Sequence, residues 1–235
     1  MIHIENYAAE TNAGIQVSRQ QASNFAKQVA DDFNPIHDVE AKRFCVPGDL
    51  LFALALSKYG LSQRMSFTFS DMVGDGIALQ FPPAANKITI SDKNGKEYLH
   101  IEREGDVSID QSLVQNFTRA YVAFSGHNFP HILIPLMAKH DVMINTARPL
   151  VMYQGMTIDL DDLDCVQPTL ELSKSSLDID RKRGNVLLEF NLMEGGKVIG
   201  RGEKRIILSG LRPYEQGSID QLVEEYNARK QPNLK

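Results

Sequence analysis

The same order of segments runs through this chain twice, and no other feature of the sequence narrows its possible folds as much. Ser18 followed by Gln21 reads as a capping box, and Ala22, Phe25, Ala26 and Val29 behind it recur at helical spacing. After a polar, proline-containing stretch comes GDLLFALALSKYG (48–60), apolar nearly all round, so it reads as a buried helix stopped by Gly60. Strand-like runs follow at 65–73 and 77–81, then KITIS and EYLHIE around the turn Asp92-Lys93-Asn94-Gly95, where Asn-Gly signals a hairpin. The order then repeats. Asp110 can cap a helix carrying Leu113, Phe117, Ala120, Tyr121 and Phe124 on one face. A second apolar helix, PHILIPLMAKHDVM, is expected to start at Pro130, with Pro135 kinking it or ending it early. PLVMYQGMTIDL, PTLELSKSSLDI and a hairpin turning at Gly195-Gly196 complete the second copy, with Val186, Leu188, Phe190 and Leu192 alternating as in a half-buried strand. The break falls near Gly105 to Asp110 with no flexible linker, so residues 1–109 and 110–210 read as two closely packed units. Residues 211–235 read as a C-terminal helix (Ile219, Leu222, Val223, Tyr226) covering an edge, with 231–235 frayed.

Length suits that division, since 235 residues make two units of a little over 100 each. With 43% hydrophobic and 23% charged residues the chain can build a core. A net charge of −5 and a pI near 5.7 argue against a nucleic-acid partner, though not against a small anion held by a local basic patch. Cys45 and Cys165 stand far apart without metal-type spacing and read as reduced thiols. The N-terminus shows no secretory pattern, and no apolar run reaches the ~18 residues of a membrane span. The expectation is a soluble, cytoplasmic protein.

A buried helix followed by long antiparallel strands resembles the hotdog fold, a sheet wrapped around one central helix. Two such units resemble the double-hotdog proteins. The expected class is therefore α+β: two helix-wrapped antiparallel sheets paired in one chain.

The strongest local signal is Asp31-Asp32-Phe33-Asn34-Pro35-Ile36-His37-Asp38, between the first helix and the buried one. A carboxylate and an imidazole five residues apart can share one water if the loop between them is stiff. Pro35 fixes its own φ and restricts Asn34, whose side chain can bond its own backbone. A purely structural reading, with Asp32 capping a turn and His37 ending a helix, uses the same residues. D-x-N-P-[IL]-H after an amphipathic helix and before a glycine-started buried helix resembles the (R)-specific enoyl-CoA hydratases, the MaoC-like dehydratases. That resemblance is strong over residues 18–60 and architectural beyond. It implies Asp32 and His37 as the catalytic pair, with Gly48 and Asn34 as oxyanion and substrate-binding residues. A backbone N–H at the N-terminus of a helix carries partial positive charge where an enolate oxygen develops. Asp49, beside Gly48, would oppose an anion there. The sequence departs from the family's pattern in two places: Asp38 follows His37 directly, and the segment from His37 to Gly48 is short, which implies a trimmed acyl tunnel.

At the equivalent place the second copy carries Phe124-Ser125-Gly126-His127-Asn128-Phe129-Pro130-His131, a degraded version of the motif that makes His127 and His131 secondary candidates. Arg181-Lys182-Arg183 is either a phosphate-binding patch or a solvated turn; His100 and His140 read as structural; Ser125 lacks a nucleophile elbow. No metal cluster emerges and no cofactor is called for. The implied activity is hydration of an enoyl thioester, on CoA or acyl carrier protein, to a 3-hydroxyacyl thioester. The alternatives are a non-catalytic acyl-thioester binder and a thioesterase, with a homodimer left open.

Overall fold

A computed structural model describes residues 2–230; the expected fraying of 231–235 lies outside the described residues. A short hairpin of β1 (Ala9–Thr11) and β2 (Gly14–Gln16), not foreseen from the sequence, precedes α1 (Arg19–Gln28). The capping box forms as expected: Ser18 accepts from the Gln21 N–H while the Gln21 side chain reaches back to the Ser18 N–H. Helix α2 (Gly48–Tyr59) ends at Gly60, whose φ of 76° is the left-handed conformation glycine adopts freely. Leu51, Leu54 and Leu56 of α2 are all buried, as its uniformly apolar sequence requires. Strands β3 (Leu61–Phe69), β4 (Ala78–Gln80), β5 (Lys87–Asp92) and β6 (Glu97–Ser108) follow. Strand β6 stays paired with β3 as far as Ser108.

In the second half α3 (Gln111–Gly126) is capped by Asp110, which accepts from the Leu113 N–H at 2.8 Å. The next helix departs from expectation. It does not start at Pro130; α4 runs only from Leu133 to Lys139. Pro135 stands third in it, within the first turn, where a missing N–H costs nothing because those donors have no partner in the helix. Then come β7 (Val142–Met143), β8 (Val151–Leu160), β9 (Thr169–Asp180), β10 (Arg183–Glu194), β11 (Lys197–Ser209), β12 (Arg212–Pro213) and α5 (Gln216–Lys230).

Ten strands form one antiparallel sheet in the order β1-β2-β4-β5-β6-β3-β8-β11-β10-β9, while β7 and β12 pair separately. Its centre is the β3–β8 ladder, where Arg64 to Thr68 pair with Asp159 to Gly155. The order reads β3-β6-β5-β4 outward on one side and β8-β11-β10-β9 on the other. The expected pair of sheets is thus fused edge to edge into a continuous one. The larger core gathers α2, α3 and the first-half strands around Phe52, which meets Phe67 at 5.1 Å and Tyr121 at 4.6 Å between ring centroids. A smaller one joins α4 to β9, β10 and β11. The architecture is α+β, of double-hotdog form, with a central helix of twelve residues, α2, in the first half and a helix of seven, α4, in the second.

Candidate active site

The chain leaves α1 through wide turns: Ala30 N donates to Phe25 O and Asp32 N to Ala26 O, and Asp31 takes a left-handed φ of 53°. Asp32 Oδ1 accepts from the Asn34 N–H at 2.9 Å, and Asn34 Oδ1 from the Ile36 N–H at 3.2 Å, so Asn34 caps the single helical turn Pro35–His37. That turn aims His37 back at Asp32. Its Nδ1 bonds the Cys45 carbonyl at 2.7 Å, and because a carbonyl only accepts, Nδ1 carries a proton. Nε2 is left 3.6 Å from Asp32 Oδ2, too long for a direct hydrogen bond and within reach of one shared water. The pair is thus brought together as the sequence suggested, with each partner's other polar atom already engaged. Burial pushes the Cys45 thiol up to about 12, which leaves it unreactive while its carbonyl steers the imidazole.

Behind this pair lies a buried polar cluster that sequence reading did not assemble. Asp49, at the start of α2, is 8% exposed, and Lys204, on β11, is 4% exposed. Ser125, near the end of α3, lies between them: its Oγ donates to Asp49 Oδ2 at 2.6 Å and accepts from Lys204 Nζ. Burial pushes the Asp49 carboxyl upward, against the pull of Lys204 and Ser125, and pushes Lys204 downward, against the pull of Asp49 and Asp32. Asp32 adds to the upward push on the Asp49 carboxyl and His37 opposes it, both less than burial, Lys204 and Ser125 do. Lys204 Nζ sits 4.4 Å over the Tyr153 ring, and the Tyr153 hydroxyl makes a short bond with that of Tyr121. Tyr153 also covers Gly48, where a Cβ would lie 2.7 Å from its ring. Gly48 is therefore the residue type this contact demands, and its N–H, at the first position of α2, has no partner within the helix. Asp49 Oδ1 and both polar atoms of the Asn128 side chain are buried without a hydrogen-bond partner.

Three crossings hold the site together. Gly126 lies directly against the Ala30 carbonyl, so the end of α3 touches the chain just before Asp32. Helix α5 covers the 31–38 loop, where a sheet edge had been expected. Tyr226 Oη donates to Asp31 O at 3.2 Å and its ring lies 6.0 Å from Phe33, Arg229 pairs with Asp38 at 2.8 Å, and Lys230 pairs with Asp31. Lys27 of α1 takes the other oxygen of Asp38 at 2.7 Å.

The remaining candidates lie elsewhere. His127 and His131 are exposed, with ring centroids 6.0 Å apart, and do not contact the cluster; Ser125, from the same segment, does. Arg181 and Lys182 form the exposed turn between β9 and β10, and Arg183, also exposed, opens β10. His100 bonds Thr89, and His140 ends α4. Among the described residues no group of three or more His, Cys, Asp or Glu could hold a metal ion, and no helix is long and apolar enough to cross a membrane. One signal for Lys204 was present: Gly200, Gly202, Lys204, Ile206 and Leu208 all face inward along β11, and a lysine on such a face asks for a reason.

No curated protein matches the chain. Among solved structures it is similar to a TesB protein of Mycobacterium avium subsp. paratuberculosis, with 7% identity, coverage of 70% of this chain and 87% of that one, and a TM-score of 0.44. It is similar also to the acyl-CoA thioesterase II TesB2 of Mycobacterium marinum (8% identity, 72% and 91% coverage, TM-score 0.44) and to a MaoC-like dehydratase (11%, 86% and 99%, 0.42). A family profile spans residues 2–217, nearly the whole chain, and the chain belongs to the family described as "Protein of unknown function (DUF3581)".

Proposed function

We propose that this chain hydrates 2-enoyl thioesters, carried on CoA or acyl carrier protein, to 3-hydroxyacyl thioesters. The observation that carries the reading is the 3.6 Å separation of His37 Nε2 from Asp32 Oδ2, with Cys45 fixing the imidazole and Asn34 the carboxylate. A water held by both groups loses a proton to the pair as its oxygen bonds to C3. The C2–C3 π electrons move toward the thioester carbonyl, and C2 then takes a proton back from the pair. Atoms and charge balance without any other reagent. The Gly48 N–H, at the positive end of α2, would stabilise the enolate oxygen. In this reading residues 1–109 and 110–210 are two copies of one unit. The second has lost the pair but supplies Ser125, Tyr153 and Lys204 to the first. The resemblance of the motif over residues 18–60 to the MaoC-like dehydratases supports hydration over hydrolysis in this reading.

Loss of the conjugated absorbance of a trans-2-enoyl-CoA tests the reading. Asp32→Asn and His37→Gln, made separately, should each lower the rate by about 10²–10⁴ with folding nearly intact. A thioesterase would direct the same water to C1, and free thiol in the same assay would replace hydration with hydrolysis. Binding of the thioester with neither product would leave a non-catalytic binder.

A further inference from the structure

Burying titratable groups is costly, and here a lysine and an aspartate lie in the core together. Here three elements from different parts of the chain converge on one line, from Lys204 through Ser125 to Asp49. Ser125 occupies Oδ2 of Asp49 and leaves Oδ1 as the free end, buried and unpartnered, one residue from the Gly48 N–H. Tyr153 ties the other end of the line to the same place, because its ring lies under the Lys204 ammonium and over Gly48. We infer that Asp49, Ser125 and Lys204 form a composite polar subsite for the thioester group of the ligand, in which Lys204 positions Asp49 through Ser125 and Asp49 Oδ1 meets the thioester carbonyl beside Gly48. This rests on the acyl-thioester reading and deepens it: the second half of the chain contributes to the site of the first. A carbonyl oxygen only accepts, so Asp49 must carry a proton on Oδ1 to meet it. The apolar surroundings favour that form of the carboxyl, as in other sites where a buried neutral acid donates to an oxyanion.

The test uses the full chain and butyryl-CoA, a saturated thioester that cannot be hydrated, with free CoA as the comparison ligand, both measured by calorimetric titration. Asp49→Leu removes the Oδ1 donor and the acceptor that Ser125 uses, Lys204→Met removes the ammonium that donates to Ser125, and each leaves a buried polar partner unsatisfied and should lower the thermal midpoint. The double variant removes both and should recover most of it. The double variant should nevertheless bind butyryl-CoA about tenfold or more weakly while binding CoA as the unmodified protein does. Ser125→Ala should show the same selective loss. Equal binding of butyryl-CoA by the double variant and the unmodified protein would make the line a structural pair only. Equal losses for both ligands would do the same, and no binding of butyryl-CoA by the unmodified protein would remove the subsite's ligand. If the unmodified protein binds butyryl-CoA but hydrates no enoyl-CoA, the hydratase reading fails and the subsite is still decided by the variants.

Discussion

Replacing Gly126 by alanine sets two physical rules against each other, and they differ in sign. Gly126 ends α3 with an ordinary negative φ, so alanine fits the backbone, and helix preference alone would stabilise the protein by about 0.5–1 kcal/mol. The contact across the interface says otherwise. A Cβ there would lie 1.5 Å from the Ala30 carbonyl oxygen and 2.7 Å from its carbon, against a closest real approach of 3.0 Å. Both sides are backbone, so neither can yield by a rotamer change. Helix α3 and the end of α1 would have to part by more than an ångström. Overpacking of this kind costs about 1–3 kcal/mol. The same movement would stretch the 2.6 Å bond from Ser125 to Asp49, and losing a bond to a charged or buried acid costs about 1.5–3 kcal/mol more. Net of the helix gain, Gly126→Ala should destabilise by about 2–5 kcal/mol, a large part of the ~5–15 kcal/mol of a typical domain. Urea unfolding reads it as a lower midpoint at unchanged slope. An unchanged or raised midpoint would refute the close crossing, and with it the joining of α3 to the Asp32 loop.

Three other outcomes are expected. Leu56→Ala, at a fully buried position of α2, should cost about 2–5 kcal/mol in the same urea experiment. Tyr226→Phe keeps the ring against Phe33 but removes the bond to Asp31 O, so it should cost about 1 kcal/mol and speed hydrogen exchange at the Phe33 amide more than in the core strands. Because burial raises the Asp49 carboxyl, the folded chain holds that proton more tightly than the unfolded chain, and this contribution to stability is lost as pH rises above the ordinary carboxylate range. Thermal midpoints measured against pH should therefore fall less steeply in Asp49→Asn than in the unmodified protein.

What could be read in advance followed from local physics. The capping box of Ser18 and Gln21, the apolar run of α2 and its stop at Gly60 depend on neighbours in sequence, and all formed where expected. The approach of Asp32 and His37 was legible for the same reason, since Asn34 and Pro35 stiffen five residues of chain. Pro135 misled because its cost depends on where a helix begins, and the start of α4 is set by packing. The Asp49–Lys204 arrangement joins residues 155 positions apart through a third, and only the fused sheet and the crossing at Gly126 bring them together. Lys204 was visible only as an inward-facing lysine, and Asp49 as a charge in an otherwise apolar helix.

The β3–β8 ladder has a consequence for any attempt to divide the chain. The seam is made of backbone hydrogen bonds, so the halves cannot swing apart like jaws without breaking a sheet at its middle. A first half cut free would present β3 as a raw edge, the kind of surface that recruits another strand. The nearest matching strand would be β3 of a second copy. Such a self-paired product would restore the hydrogen bonds, yet each Asp49 would lack the Ser125 hydroxyl and the Lys204 ammonium that the second half supplies. The hydrogen bonds of the seam could thus be replaced by a second copy, but the partners of Asp49 could not.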